Sequence, residues 1–268
     1  MTLTSAINLQ FTLRLRLLDM YYKAKAGHIG CSLSCIDLLI ASLLQIKKGT
    51  DSFILSKGHA AAALYACLEE MGSIGKNEME SFYKTGTRLP AHPAPLSFPE
   101  IPLATGSLGH GFPFAAGLAK AKKLKGENGH VMVILSDGET NEGSTWEAAH
   151  FAVSHRLDNL IVMVDCNGLQ GFGNTTNILG NSALPQKFSS IGMQTEETDG
   201  HDVGQIMSLL SRMKEEKNEK PKLIVAHTIK GKGVTFMENK MEWHYLTMND
   251  EQYQKAKEDV TRNYSEAV

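Results

Sequence analysis

The sequence predicts an α/β fold, a mostly parallel central sheet with helices on both faces, and three features predict it. Residues 131–136 (VMVILS), 160–165 (LIVMVD) and 222–226 (KLIVA) are short continuous apolar runs, the pattern of strands covered on both faces. Helical periodicity fills the segments between and around them, and strands alternating with helices pack as a parallel sheet. The chain of 268 residues, 42% hydrophobic with 24 glycines, has the size and make-up of one large domain, residues 1–268.

In chain order, residues 5–24 carry apolar side chains at helical spacing and end near Gly27. Residues 33–46 (LSCIDLLIASLLQI) read as a buried helix. Residues 52–56 (SFILS) read as a short strand, and Gly58 opens an alanine-rich helix running to about Met71. Five of the eight prolines fall within residues 85–105, which therefore form a long ordered loop. Helices are predicted over 110–125, 142–156 and 203–216, with the charged run 214–220 as a solvated helix end. Residues 248–267 predict an exposed helix started by Asn249 or Asp250.

Several classes of function are disfavoured. The net charge is −2 and no long basic stretch exists, so nucleic acid is not an expected partner. No run of about 18 apolar residues is present, so no membrane span is expected. Residues 1–20 carry Arg14 and Arg16 and lack the pattern of a secretory signal, which leaves the cytoplasm as the expected compartment. Cys31 and Cys35 have C-x-x-x-C spacing with no second pair to complete a zinc site; they, Cys67 and Cys166 read as free, mostly buried thiols.

Ligands of parallel sheets sit at the carboxyl ends of strands, and two such ends are unusually polar. One is Ser136-Asp137-Gly138, continuing to Glu142 and Gly143; the other runs from Asp165 to Leu169. Asp137 or Asn167 alone would read as a turn or capping residue. On adjacent strands they come together, and a carboxylate, an amide oxygen and a main-chain carbonyl, completed by phosphate oxygens, suit a hard cation such as Mg2+. Gly138 permits close approach of a phosphate, and the helix after it offers free N–H groups. Four of the ten histidines, His28, His59, His92 and His110, lie in Gly- or Pro-flanked turns, where functional groups are commonly mounted. His150, His155, His201 and His227 read as surface or satisfied core residues, and Trp146 as core.

Asp137-Gly138 followed after 28 residues by Asn167 resembles the cofactor motif of the thiamine diphosphate enzymes, and the surrounding text resembles transketolase. The likeness is carried by AGHIG, SFILSKGHAAAALYA, LPAHP, TGSLGHG, SDGETNEGSTWEAAHFA and HTIKGKGVTFMENKMEWH, in the family's order over residues 10–248. The resemblance implies a thiamine diphosphate-binding fold, with Asp137 and Asn167 binding Mg2+ (or Ca2+ or Mn2+) through side chains and Leu169 through its carbonyl. It implies Gly138, His59 and His244 at the diphosphate, Gly106 and Leu108 at the aminopyrimidine, and Glu142 in a carboxylate network coupling paired sites. His28, His92 and His244, with His59, would line the donor-sugar pocket, the first three acting in catalysis.

The sequence departs from the family's pattern at Ser136, in place of the first glycine; at Gly171, where an aliphatic residue is usual against the thiazolium ring; at His110, usually glutamine; and at Tyr245, usually glycine. The first changes little. The others bear on donor or acceptor choice, with loss of thiazolium packing expected at Gly171. The pyrimidine-binding domain, which in the family carries the glutamate that activates the cofactor, has no counterpart in the sequence. The resemblance therefore implies a subunit that transfers a two-carbon ketol unit between sugars or sugar phosphates, active with a second chain carrying that domain, as a heterotetramer. A non-catalytic paralogue with a regulatory or interaction role remains an alternative, against which Asp137, Asn167, His59 and His244 speak. So does another thiamine diphosphate enzyme, such as one chain of a decarboxylase, against which the set of histidines speaks.

Overall fold

In the computed structural model, which describes residues 3–47, 49–179 and 183–264, the apolar runs become central strands and the periodic segments become helices. The chain opens with helices α1 (Leu3–Ala24) and α2 (Ile29–Gln45), then β1 (Ser52–Leu55). A 3-10 turn at Gly58–Ala60 leads into α3 (Ala61–Glu70), and α4 (Lys76–Met79) precedes the long proline-rich loop. There follow α5 (Gly111–Leu124), β2 (Val131–Ser136), α6 (Gly143–Ser154) and β3 (Leu160–Cys166). A ribbon of β4 (Leu169–Gln170) and β5 (Gly173–Asn174) leads to α7 (Thr175–Leu179) and α8 (Leu184–Ile191). The chain closes through β6 (Gln194–Asp199), α9 (Val203–Glu215), β7 (Lys222–His227) and α10 (Asp250–Tyr264).

The main sheet runs β1-β2-β3-β7-β6, and every neighbouring pair is parallel. Alternation of side chains about the strands divides the core in two. Met132, Ile134, Ile161, Met163 and Ile224 face α1, α2, α3 and α9; Val131, Val133, Leu160, Val162 and Leu223 face α5, α6 and α8. Helices thus cover both faces, as the continuous apolar runs require. Among the described residues no helix is long and apolar enough to cross a membrane.

Four features differ from the expectations drawn from sequence. Helix α2 starts at Ile29, four residues before the expected start at 33, so His28 sits at its amino end. Strand β6 (QTEETD) was not anticipated: it is a polar edge strand, with no apolar alternation, held by its ladder to β7. Helix α10 begins at Asp250 as expected but is not simply exposed. Ala256 and Val260 are fully buried, and Tyr253 stacks on Tyr22 of α1 at 4.0 Å between ring centres. Residues 265–267 of that expected helix lie outside the described residues. The Lys214 end of the charged run is likewise docked, donating to Asp51 at 2.6 Å.

Candidate active site

The carboxyl ends of β1, β2, β3 and β7 open onto one cleft of about 220 Å³. Each strand end delivers a polar group to it: Lys57 and His59 after β1, Asp137 and Gly138 after β2, Asn167 and Leu169 after β3, and Lys230 after β7. The register pairs Ser136 with Asp165, which brings Asp137 beside the loop that holds Asn167. Asp137 is 2% exposed, and its carboxylate accepts from Gly138 N at 2.8 Å, Gly168 N at 2.7 Å and Thr175 Oγ1 at 3.1 Å. Burial, together with the charge of Asp165, still pushes its carboxyl up to about 6. Asn167 Oδ1 accepts from Leu169 N at 3.0 Å, while its Nδ2 reaches Ser34 Oγ at 3.3 Å.

Beneath these groups lies a buried ion pair that the sequence reading did not assign. Lys57 and Asp165 are both fully buried and in direct contact; Asp165 also accepts from Ser34 and Thr228, and Lys57 donates to Cys31 O at 3.3 Å. Burial alone would raise the Asp165 carboxyl, but Lys57 holds it below its ordinary value. The sequence signal was present: a charged residue directly follows one apolar strand and another ends a second. Glu139, rather than Glu142, is the buried carboxylate of the SDGETNEG stretch. It accepts from Ser56 and from Gly109 N at 2.9 Å, which ties β1 to the loop before α5. Glu142 is exposed at the start of α6, beside Gly109 and outside the cleft.

Four histidines converge on the other wall. His28 is central, its ring centre 5.6 Å from His59, 5.8 Å from His92 and 4.8 Å from His244. The amino end of α2 and the closing segment are laced together by backbone bonds, His28 N to His244 O at 3.0 Å and Gly231 N to Gly30 O at 3.0 Å. His28 adopts a left-handed backbone, φ 76°, which is uncommon away from glycine and costs of order 1 kcal/mol or more. Burial holds His59 down to about 4 and, with the neighbouring His28, lowers His92, so both stay neutral near pH 7. Gly106 and Leu108 line the same cleft. His110 does not join it; it is exposed at the start of α5.

Cys31, read from sequence as a buried thiol, is buried and free but belongs to this cluster. Its Sγ lies 3.4 Å from His244 Nδ1, an atom that also accepts from Lys230 Nζ at 3.1 Å. Burial alone would raise the thiol; the Lys230 ammonium, then the surrounding imidazoles, hold it well below the ordinary range. Gly171 is also explained. A Cβ there would lie 2.5 Å from Tyr245 Oη, and Tyr245 donates to Gly171 O at 3.0 Å. The two departures from the family pattern compensate each other, the phenol occupying the space beside Gly171. Trp146 is a packing residue, as expected, stacked on Phe188 at 4.6 Å. So is His201, whose Nε2 accepts from Ile229 N and whose Nδ1 donates to Asp37, each at 2.8 Å.

A cleft at the strand ends brings hard oxygen donors and a ring of imidazoles together, a donor set suited to a polar, anionic ligand. The sequence matches the family described as "Transketolase, thiamine diphosphate binding domain" over residues 6–267. The chain belongs to this family. It is 36% identical over 243 residues to one chain of the apulose-4-phosphate transketolase of Actinobacillus succinogenes, covering 87% of each chain. It is 35% identical over 243 residues to one chain of the 6-deoxy-6-sulfo-D-fructose transketolase of a Clostridium species, covering 87% of this chain and 88% of that one. Both relatives are named as subunits. The transketolase of Campylobacter jejuni superposes with a TM-score of 0.86 at 30% identity, over 97% of this chain and 43% of that one. The chain thus spans under half the length of that transketolase and nearly the whole length of the subunits. It is a transferase-family chain of the transketolase type, and thiamine diphosphate is the cofactor its family binds.

Proposed function

We propose that this chain is the subunit of a two-chain transketolase that binds thiamine diphosphate and Mg2+, and that it transfers a two-carbon ketol unit from a ketose to an aldose. The observation that carries the reading is the shared cleft, where Asp137 and Asn167 face His59, His92, His28 and His244. The donor set fits a metal-bound diphosphate. The Asp137 carboxylate, the Asn167 amide oxygen and the Leu169 carbonyl are hard oxygen ligands, and diphosphate oxygens complete such a shell. Gly138 suits close approach, since a Cβ there would meet Gln170 at 3.0 Å. Lys230, His59 and His244 offer donors to the anion.

The bound cofactor supplies the carbanion chemistry. The protein residues divide the remaining work. Asp137 and Asn167 would hold the metal, and the Gly168 and Gly138 N–H donors fix the Asp137 carboxylate in place. His28 and His92 bind the hydroxyl groups of the donor ketose and pass protons to and from them, a task suited to imidazole side chains. His244 lines the same cleft and would serve both the diphosphate and the sugar. The Tyr245 phenol narrows the cleft beside Gly171 and bears on the choice of donor. A partner chain carrying the pyrimidine-binding domain supplies the activating glutamate, in a cytoplasmic heterotetramer. Relatives of nearly equal identity are named for different ketoses, so the substrate here is a ketose of the same polar class.

The test is reconstitution. The purified chain with thiamine diphosphate and Mg2+ should lack ketol transfer from apulose 4-phosphate, 6-deoxy-6-sulfo-D-fructose or common ketose phosphates, and should gain it for one of them on mixing with its partner. Calorimetry should show Mg2+-dependent cofactor binding that Asp137→Ala abolishes. Ketol transfer by the chain in the verified absence of a second polypeptide, or unchanged cofactor binding by Asp137→Ala, would overturn the proposal.

A further inference from the structure

The cluster around Cys31 has a composition that sugar or diphosphate binding does not require. One ligand atom from each of His28, Cys31 and His244 lies within 4.8 Å of the other two. Two ligands on a tetrahedral zinc ion, with Zn–S about 2.3 Å and Zn–N about 2.0–2.1 Å, stand about 3.5 Å apart. The observed Cys31 Sγ to His244 Nδ1 separation is 3.4 Å. His28 Nδ1 is buried without a hydrogen-bond partner, a polar atom with its lone pair or proton unused. The third group is a thiol that coordinates as thiolate, the soft donor that hard cations avoid and zinc prefers. The geometry is also held from behind: His28 is fixed by its left-handed backbone and its bond to His244 O, and Cys31 lies in the first turn of α2.

We propose that His28, Cys31 and His244 form a binding site for one soft divalent cation, Zn2+ being the matched ion, and that its occupancy excludes thiamine diphosphate and sugar from the cleft. The exclusion rests on the functional reading above, because it takes His28 and His244 from the roles given to them there; the binding itself does not. Two imidazoles and a thiolate leave the fourth tetrahedral position open to water from the cleft, and the thiol proton departs to solvent on binding. The Lys230 ammonium must move from His244 as the cation arrives, since it occupies the Nδ1 lone pair. The site is separate from Asp137 and Asn167, whose oxygen donors select a hard ion. Zinc would therefore switch the enzyme off without competing for the protein oxygen donors of the magnesium site.

The probe is Co2+, a spectroscopic substitute for zinc, titrated into the purified chain without cofactor or partner. One equivalent should give a thiolate-to-cobalt charge-transfer band that Zn2+ bleaches. Cys31→Ser should abolish the band, and Cys166→Ser, which removes the thiol next in sequence to Asn167, should keep it. His28→Ala should weaken binding by more than the roughly 10–100-fold that loss of an outer-shell partner costs. Circular dichroism of each variant separates lost ligation from lost fold. Absence of the band in the wild-type chain, or its survival in Cys31→Ser, would overturn the site. Thiamine diphosphate with Mg2+ should then reduce the band; a band indifferent to the cofactor would overturn the exclusion while leaving the metal site standing. Failure of ketol transfer in the reconstituted enzyme touches neither measurement.

Discussion

Gly106 and His92 show how far the site depends on single residues. Gly106 has φ 143°, which side-chain-bearing residues rarely adopt, and a Cβ there would lie 2.7 Å from His92 Cδ2. An alanine must therefore strain the backbone and displace an imidazole of the cluster. We expect Gly106→Ala to destabilise the chain by about 1–3 kcal/mol and to lower turnover in the reconstituted enzyme at least as much as His92→Ala. Steady-state kinetics of both variants check this; a Gly106→Ala enzyme with normal turnover would show that His92 needs no such support. Most residues of the cluster were visible in the sequence because they stand in glycine-flanked turns. Cys31 was not, since a free cysteine with no second pair to complete a zinc site reads as a buried thiol, and only its lateral distance to His244 says otherwise.

At the scale of elements, the network around Asp37 joins three segments distant in sequence. Arg14 of α1 makes a two-pronged pair with Asp37 of α2, at 2.8 and 2.6 Å, and both side chains are fully buried. Gln10 donates to the same carboxylate at 2.9 Å, and His201, after β6, donates at 2.8 Å. Burial alone would raise the Asp37 carboxyl; Arg14 and His201 hold it down at about 2. Asp37→Ala leaves a buried guanidinium without its partner and is expected to cost about 3–5 kcal/mol, measured by denaturant unfolding. The sign with pH follows. The folded pKa lies below the unfolded value of about 3.9, so the contribution of roughly 2–3 kcal/mol is complete above that value and is lost as pH falls towards 2. Acid unfolding curves of wild-type and Asp37→Asn should therefore converge below about pH 4. The same network explains why β6 matters though its sequence did not announce it, because the strand delivers His201 to Asp37.

Over the whole molecule, apolar side chains gather at the mouth of the cleft. Phe172 is 87% exposed, Tyr245 56% and Leu246 47%, and the first two line the cleft itself. Exposed aromatic residues beside a site that a second chain is proposed to complete are candidates for buried anchors of that interface. Phe172→Asp should leave the fold intact, as judged by circular dichroism, and weaken association with the partner by about 2 kcal/mol or more, roughly 30-fold. Sedimentation analysis of the mixed chains checks this; unchanged association would move the interface elsewhere.

Local patterns in the chain suffice for the strands β1, β2, β3 and β7, the principal helices, and the family, because continuous apolar runs and ordered motifs are read without knowing what packs on them. They also mark Asp137, Asn167, His28, His59 and His92, whose positions at strand ends and turns follow from those patterns. The rest depends on long-range packing. Lys57 and Asp165 become an ion pair only when β1 and β3 stand on either side of β2. Gly171 and Tyr245 compensate only because a loop after β3 meets the closing segment. Polar β6 is a strand only against the ladder of β7, and α10 is half-buried only against α1. Each of these pairings spans tens to hundreds of residues, and no local property of either partner encodes its distance to the other.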